Sequence, residues 1–212
     1  MNKYTEPRIA NSALITIDTQ NDFTLDAAPA QIAGTKEIIP NMVRLIEAYR
    51  QNGFIIIHVI RLYLPDGSNV DLCRKQAIEE GEKIVAPDSE GAELVRALKP
   101  DPSVKMNATK LLSGELQKIG ANEYVMYKPR WGAFYGTRLE EFLEEHELDT
   151  LVFSGCNYPN CPRTSIYEAS ERDFRVVLAK DAISQLYSKG EEEMENIGVG
   201  LLTTDEIEGI LA

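Results

Sequence analysis

Three side chains in this sequence have the types that together could support covalent attack on a carbonyl carbon. Cys161 could be the nucleophile, Asp18 the group that takes and returns its proton, and Lys128 the counter-charge that keeps both ionised. Cys161 lies in Gly155-Cys156-Asn157-Tyr158-Pro159-Asn160-Cys161-Pro162-Arg163-Thr164, between the apolar run Thr150-Leu151-Val152-Phe153 and an amphipathic stretch from Arg163 to Arg172. Pro162 suits the first position of a helix, where a missing N–H costs nothing, so the cysteine is expected at the N-cap. There the helix dipole and free backbone N–H groups would stabilise a thiolate and could receive a developing oxyanion. A free thiol titrates near about 8.5, and lowering that value needs such an environment. A small buried cysteine is the commoner fate of the residue, and local sequence leaves both readings open.

Asp18 ends the run Ala13-Leu14-Ile15-Thr16-Ile17 and opens Asp18-Thr19-Gln20-Asn21-Asp22-Phe23. A carboxylate there could take the thiol proton and deliver it to a leaving nitrogen, or it could cap a turn or helix, as Asp22 also could. Lys128 follows Tyr124-Val125-Met126-Tyr127; a lone lysine is ordinarily a surface charge, and only its placement with the other two singles it out. Of the two histidines, His58 sits inside a strand-like run and is expected to be a satisfied core residue, while His146 sits in an acidic helix and is expected on the surface. A serine–histidine–acid or cysteine–histidine centre is therefore poorly supported, and there is no Gly-x-Ser-x-Gly elbow. No histidine and acid cluster has zinc spacing, Cys156 and Cys161 are not spaced as a zinc pair, and dinucleotide and P-loop motifs are missing. No cofactor and no metal are expected. A redox pair of Cys156 and Cys161 is a further reading, set back by a spacing that is not Cys-x-x-Cys.

The elements that must position these groups are legible as apolar runs separated by helical stretches. Besides the runs before Asp18, Lys128 and Cys156, there are Phe54 to Ile60, Phe174 to Ala179 and a weak sixth from Gly198 to Leu202. They are continuously apolar, as in strands covered on both faces. Between them, Ile38 to Gln51 places Ile39, Met42, Val43, Ile46 and Tyr49 at helical spacing and stops at Asn52-Gly53. Leu139 to Glu147 reads as another helix, and Thr203-Thr204-Asp205-Glu206 resembles a capping box. The alternation predicts an α/β fold, a parallel sheet with helices on both sides, as one domain over residues 1–212. The stretch from about Leu62 to Gly120 breaks the rhythm with Pro65-Asp66-Gly67-Ser68, Ala86-Pro87-Asp88 and Lys99-Pro100-Asp101-Pro102, and is expected to be an excursion of short helices and loops. In such a sheet, reactive positions gather at the carboxyl ends of strands, where Asp18, Lys128 and the Cys156–Cys161 loop all fall.

Composition narrows the partners. With 22 basic and 34 acidic residues the net charge is −12, which repels nucleic-acid phosphates and anionic lipid. Three cysteines suit a reducing compartment, and neither a signal-peptide run nor a membrane-spanning run is present. A cytoplasmic protein acting on a small molecule is expected, without nucleic-acid or membrane partners.

Four motifs in order make the chain resemble the isochorismatase-like cysteine hydrolase superfamily, which includes nicotinamidases and N-carbamoylsarcosine amidohydrolases. They are Leu14 to Phe23 around Asp18, Lys128 with Ala133-Phe134 and Thr137-x-Leu139, Gly155 to Thr164 around Cys161, and Ala179-Lys180-Asp181-Ala182. The resemblance runs from about Ala13 to Leu202. It implies a three-layer α-β-α fold on a six-stranded parallel sheet, and a Cys161–Asp18–Lys128 triad working through a thioacyl-enzyme. It further implies a cis peptide at Cys156–Asn157, an oxyanion hole from the N–H groups of Asn157 and Cys161, and a pocket lined by Phe23, Trp131 and Tyr158. A homo-oligomer, dimer or tetramer, is also implied. Tyr158 and Pro162 depart from the threonine and valine common in the family, and Arg61-Leu62-Tyr63-Leu64 lacks the histidines of the nicotinamidase metal cluster. True isochorismatases lack the nucleophilic cysteine, so Cys161 points to C–N cleavage of a small amide, ureido or carbamoyl substrate. Arg61, Arg130 or Arg163 could bind a substrate carboxylate. A non-catalytic or isochorismatase-type binding member of the same fold is the alternative.

Overall fold

The structure is a computed structural model that describes residues 2–211. Among these residues, seven strands form one sheet: β1 (Ser12–Ile17), β2 (Ile55–Ile60), β3 (Gln117–Lys118), β4 (Glu123–Tyr127), β5 (Thr150–Gly155), β6 (Arg175–Ile183) and β7 (Gly200–Leu202). Their order is β3-β4-β2-β1-β5-β6-β7, and every pairing is parallel except β3 with β4. The six parallel strands are the six expected runs; the six-stranded expectation is corrected to seven by β3. That edge strand is two polar residues long, held only by pairing Gln117 with Val125 and Lys118 with Tyr124, so no apolar run announces it. Strand β6 also runs past its apolar segment, so Asp181 lies inside it. Its carboxylate accepts from the Thr204 N–H at 2.8 Å and the Asn41 amide at 3.2 Å.

Among the described residues, eight α-helices accompany the sheet: α1 (Asn21–Thr24), α2 (Thr35–Asn52), α3 (Leu72–Glu79), α4 (Ala108–Leu112), α5 (Leu139–Glu145), α6 (Cys161–Ser170), α7 (Ser188–Asn196) and α8 (Thr204–Leu211). Because side chains alternate along a strand, β1 feeds two cores. Ala13, Ile15 and Ile17 join Leu139 and Leu143 of α5, Ile166 of α6 and Met194 of α7 on one face. Leu14 joins Met42, Leu45, Ile46 and Tyr49 of α2 and Ile207 of α8 on the other. Helix α2 ends as its sequence predicts, with Gly53 left-handed at φ 69° and its N–H returned to Arg50 O. The capping box at α8 is formed: the Thr203 N–H donates to Glu206 Oε2 at 2.7 Å and the Glu206 N–H to Thr203 Oγ1 at 3.3 Å. His58 is fully buried in β2, its ring nitrogens on Thr16 Oγ1 (2.7 Å) and Glu123 Oε1 (2.8 Å), and His146 is exposed. Among the described residues, no helix is long and apolar enough to cross a membrane.

The excursion between β2 and β4 folds over the carboxyl ends of the strands and has a third apolar cluster of its own. Leu62, Tyr63, Val70, Ile78, Ile84, Leu94, Met106 and Leu111 pack there against Ile60, Val125 and Phe23.

Gly155 closes β5 at φ 111°, a conformation that glycine alone adopts freely, and a Cβ there would stand 2.3 Å from Ile17 O of the neighbouring strand. Gly155→Ala is therefore expected to destabilise the fold by about 2–4 kcal/mol, read as a lower midpoint in urea unfolding. An unchanged midpoint would show that the two strand ends can part without cost.

Candidate active site

Strand order makes β1 the pivot of the sheet. The chain builds outward from it through β2 and β4 on one side and through β5, β6 and β7 on the other, so a crevice opens at the carboxyl ends of β1 and β5. Asp18 leaves β1 in the left-handed region at φ 51°, which short polar side chains tolerate better than most, with its N–H donating to Val59 O at 2.9 Å. Lys128 leaves β4 with its N–H donating to Ile60 O at 3.0 Å. Two strand spacings, about 10 Å, separate β4 from β1, a gap that the long lysine side chain crosses. Its Nζ lies 3.0 Å from Asp18 Oδ2 and donates to Arg130 O at 3.2 Å. Lys128 is 0% exposed and Asp18 4%. Among the described residues, Asp18 Oδ1 is buried without a hydrogen-bond partner, so one carboxylate oxygen is committed to the ammonium and the other is not.

Cys161 is the first residue of α6, and Asn160 takes the N-cap. The expected N-cap cysteine is thus displaced by one position, with Pro162 second in the helix, where its missing N–H is still harmless. Cys161 stands with Asp18 and Asn157 in the wall of one cavity. Its thiol does not follow the expectation drawn from the helix start. Burial pushes it up, the Asp18 charge pushes it further, and Lys128 opposes them, leaving the thiol pushed up to about 12. At neutral pH the proton rests on sulfur beside an acceptor carboxylate, which suits activation by proton transfer at the moment of attack.

The Cys156–Asn157 peptide is cis. Neither the Asn157 N–H nor the Cys161 N–H has an acceptor among the described residues, and both residues line the cavity. Cys156 is buried and donates its thiol to Asp18 O at 3.1 Å, tying the ends of β5 and β1 together. Burial raises that thiol well above its ordinary range, which disfavours the redox reading.

Phe23 and Trp131 line the cavity; Tyr158 does not. Its ring is fully buried in the core, where Gly190 of α7 leaves a slot for it and accepts its hydroxyl at 2.9 Å; a Cβ on Gly190 would lie 2.4 Å from the ring. Of the three arginines considered, Arg61 lines the cavity. Arg130 is turned to the carbonyls of Asn69 and Pro129, and Arg163 is taken by Glu193 at 2.7 Å and the Tyr187 hydroxyl. Burial opposes the Arg61 charge, but Tyr63, Asp18 and Asp71 around it hold it above its usual value. The cavity also takes Tyr63, Asp71 and Arg74 from the excursion, residues that no apolar periodicity or motif singles out. It encloses about 470 Å³ of empty space including its mouth, so it suits a small ligand. Among the described residues, no group of three or more histidine, cysteine, aspartate or glutamate side chains is placed to hold a metal ion.

The family model for the isochorismatase domain matches residues 12–206. A probable inactive nicotinamidase of Arabidopsis thaliana is 32% identical over 206 residues, covering 94% of this chain and 95% of its own length. An N-carbamoylsarcosine amidase of an Arthrobacter species is 28% identical over 175 residues, 81% of this chain and 58% of that protein. The crystal structure of an isochorismatase family protein from Desulfovibrio vulgaris superposes with a TM-score of 0.81 at 30% identity, over 95% of this chain and 98% of that one.

A protonated Cys161 thiol should react slowly with iodoacetamide at pH 8. Asp18→Asn removes a charge that raises the thiol while leaving Lys128, which lowers it, so Cys161 labelling in that variant should be faster and its pH profile shifted downward. Mass spectrometry resolves Cys161 from the exposed Cys73. Slower labelling in Asp18→Asn would contradict the electrostatic assignment.

Proposed function

The chain belongs to the isochorismatase family, and from that premise we propose that it is a cysteine hydrolase that cleaves the C–N bond of a small amide, ureido or carbamoyl compound through a thioacyl intermediate. The observation that carries this reading is the buried Lys128–Asp18 ion pair, which leaves Asp18 Oδ1 unpartnered among the described residues, with Asp18 lining the same cavity as Cys161. Asp18 takes the Cys161 proton as sulfur bonds to the substrate carbon. The carbonyl electrons move onto oxygen, where the Asn157 and Cys161 N–H groups are free to receive them. As the oxyanion collapses, the C–N bond breaks and nitrogen departs with the proton held by Asp18. Water then attacks the thioester, Asp18 takes its proton, and the acid is released as the proton returns to sulfur. Lys128 stays paired with the Asp18 carboxylate through these transfers and holds it in place.

The relative named N-carbamoylsarcosine amidase supports C–N chemistry. A second reading, a binding protein of the same fold, has its support in the relative named a probable inactive nicotinamidase. Ammonia release from a panel of small primary amides and ureido acids separates the two. Turnover by the native chain, with Cys161→Ala and Asp18→Asn each about 10³-fold slower or worse while still folded, is the expected result. Turnover that survives Cys161→Ala would overturn the covalent route, and silence of the native chain across the panel would favour the binding protein.

A further inference from the structure

The segment that leaves β4 carries both Lys128 and Trp131, and it is gripped from the helix that carries Cys161. Trp131 lines the cavity and is 40% exposed. Among the described residues its ring packs on no other aromatic ring, so its place depends on the backbone to either side. On one side, Lys128 Nζ donates to Arg130 O at 3.2 Å. On the other, Gly132 lies so close to Glu168 that a Cβ there would stand 2.2 Å from its carboxylate. The next two N–H groups both donate to α6: that of Ala133 to Ser165 Oγ at 3.0 Å, and that of Phe134 to Glu168 Oε2 at 2.9 Å.

Ser165 and Glu168 are three residues apart and share one face of α6. Ser165 is fully buried, and its hydroxyl passes the connection on by donating to Cys161 O at 2.7 Å. Glu168 is half-buried, and Arg172 does not compete for its carboxylate. The Arg172 Nε goes to Glu140 at 2.8 Å and its Nη1 to the Glu168 backbone carbonyl at 2.9 Å, while the guanidinium lies 4.8 Å over the Phe134 ring. A glutamate on a helix ordinarily faces water or a cation. Here it accepts a backbone N–H in a charge-assisted bond, about twice as strong as a neutral one. The excluded Cβ at Gly132 and the bond to Phe134 fix the segment immediately after Trp131.

We propose that Glu168, supported by Ser165, is a positioning residue that holds Trp131 as a fixed wall of the cavity at a set distance from Cys161, and that this wall limits the size of the acyl group the site accepts. The acyl limit rests on the hydrolase reading; the hold on Trp131 does not. Loss of the carboxylate should leave the Phe134 N–H unpaired, loosen the wall and relax the limit.

The chain contains one tryptophan, so emission excited at the red edge, where tyrosine does not absorb, reports on Trp131 alone. In Glu168→Ala, folded by circular dichroism, the emission should move to longer wavelength and acrylamide quenching should increase. Glu168→Gln keeps an acceptor of the same shape and should restore most of the native signal. In ammonia release from straight-chain primary amides of increasing acyl length, Glu168→Ala should raise KM for the best short amide about fivefold or more with a smaller change in kcat, and should flatten the decline toward longer ones. Native emission and quenching in Glu168→Ala, no rescue by Glu168→Gln, or an unchanged length profile in an active Glu168→Ala protein each overturns the proposal. Should Glu168→Ala not fold, Glu168→Asp, whose carboxylate is one methylene short of the loop, decides by the same signals. The two readings fail separately. Altered Trp131 signals with no turnover by the native chain would keep the hold on Trp131 and sink the hydrolase; native turnover with Trp131 signals and length profile untouched by Glu168→Ala would do the reverse.

Discussion

An ammonium and a carboxylate shut away from water at the edge of a sheet set the terms for the rest of this molecule. Each ion alone would cost several kcal/mol to bury, and removing one partner from such a pair costs about 3–5 kcal/mol. Lys128 and Asp18 are tolerated because backbone bonds to β2 hold both at fixed points, to Ile60 O and Val59 O respectively. Among the described residues the pair occupies one Asp18 oxygen and leaves the other unpartnered, and burial together with the Asp18 charge raises the neighbouring thiol. Ammonium, carboxylate and sulfur are thus electrostatically coupled before any ligand arrives.

That coupling depends on topology. With β1 at the pivot and β5 beside it, the turn carrying Asp18 and the loop carrying Cys161 leave the sheet at adjacent points, and Cys156 joins them through its bond to Asp18 O. The two cores on either face of the sheet give these strand ends rigid footing. Neither core contains the chemistry, which sits where backbone N–H groups are free and side chains face a common crevice.

The excursion contributes in a different way. Its apolar cluster covers the strand ends and closes the cavity, and its polar residues, Asp71 and Arg74 among them, line that cavity. Residues on irregular segments over a rigid scaffold can vary without disturbing the sheet, which is where selectivity among related proteins is expected to reside.

Much of this could be read directly. Runs of β-branched residues, the stop at Gly53 and the Thr203–Glu206 box report conformations decided within a few residues, so the parallel strands, α2 and the start of α8 fall where their sequence places them. Asp18, Lys128 and Cys161 were legible because each ends or follows such an element. What stayed hidden depends on neighbours remote in the chain. Strand β3 exists only through β4, and the slot that buries Tyr158 is made by Gly190. The raised thiol needs burial and the Asp18 charge, and the buried guanidinium of Arg61 needs the Asp71 carboxylate beside it. Backbone preference is a local property of the chain, whereas burial and charge act through space, and the distances they act over come into being only when the sheet closes its strand ends together.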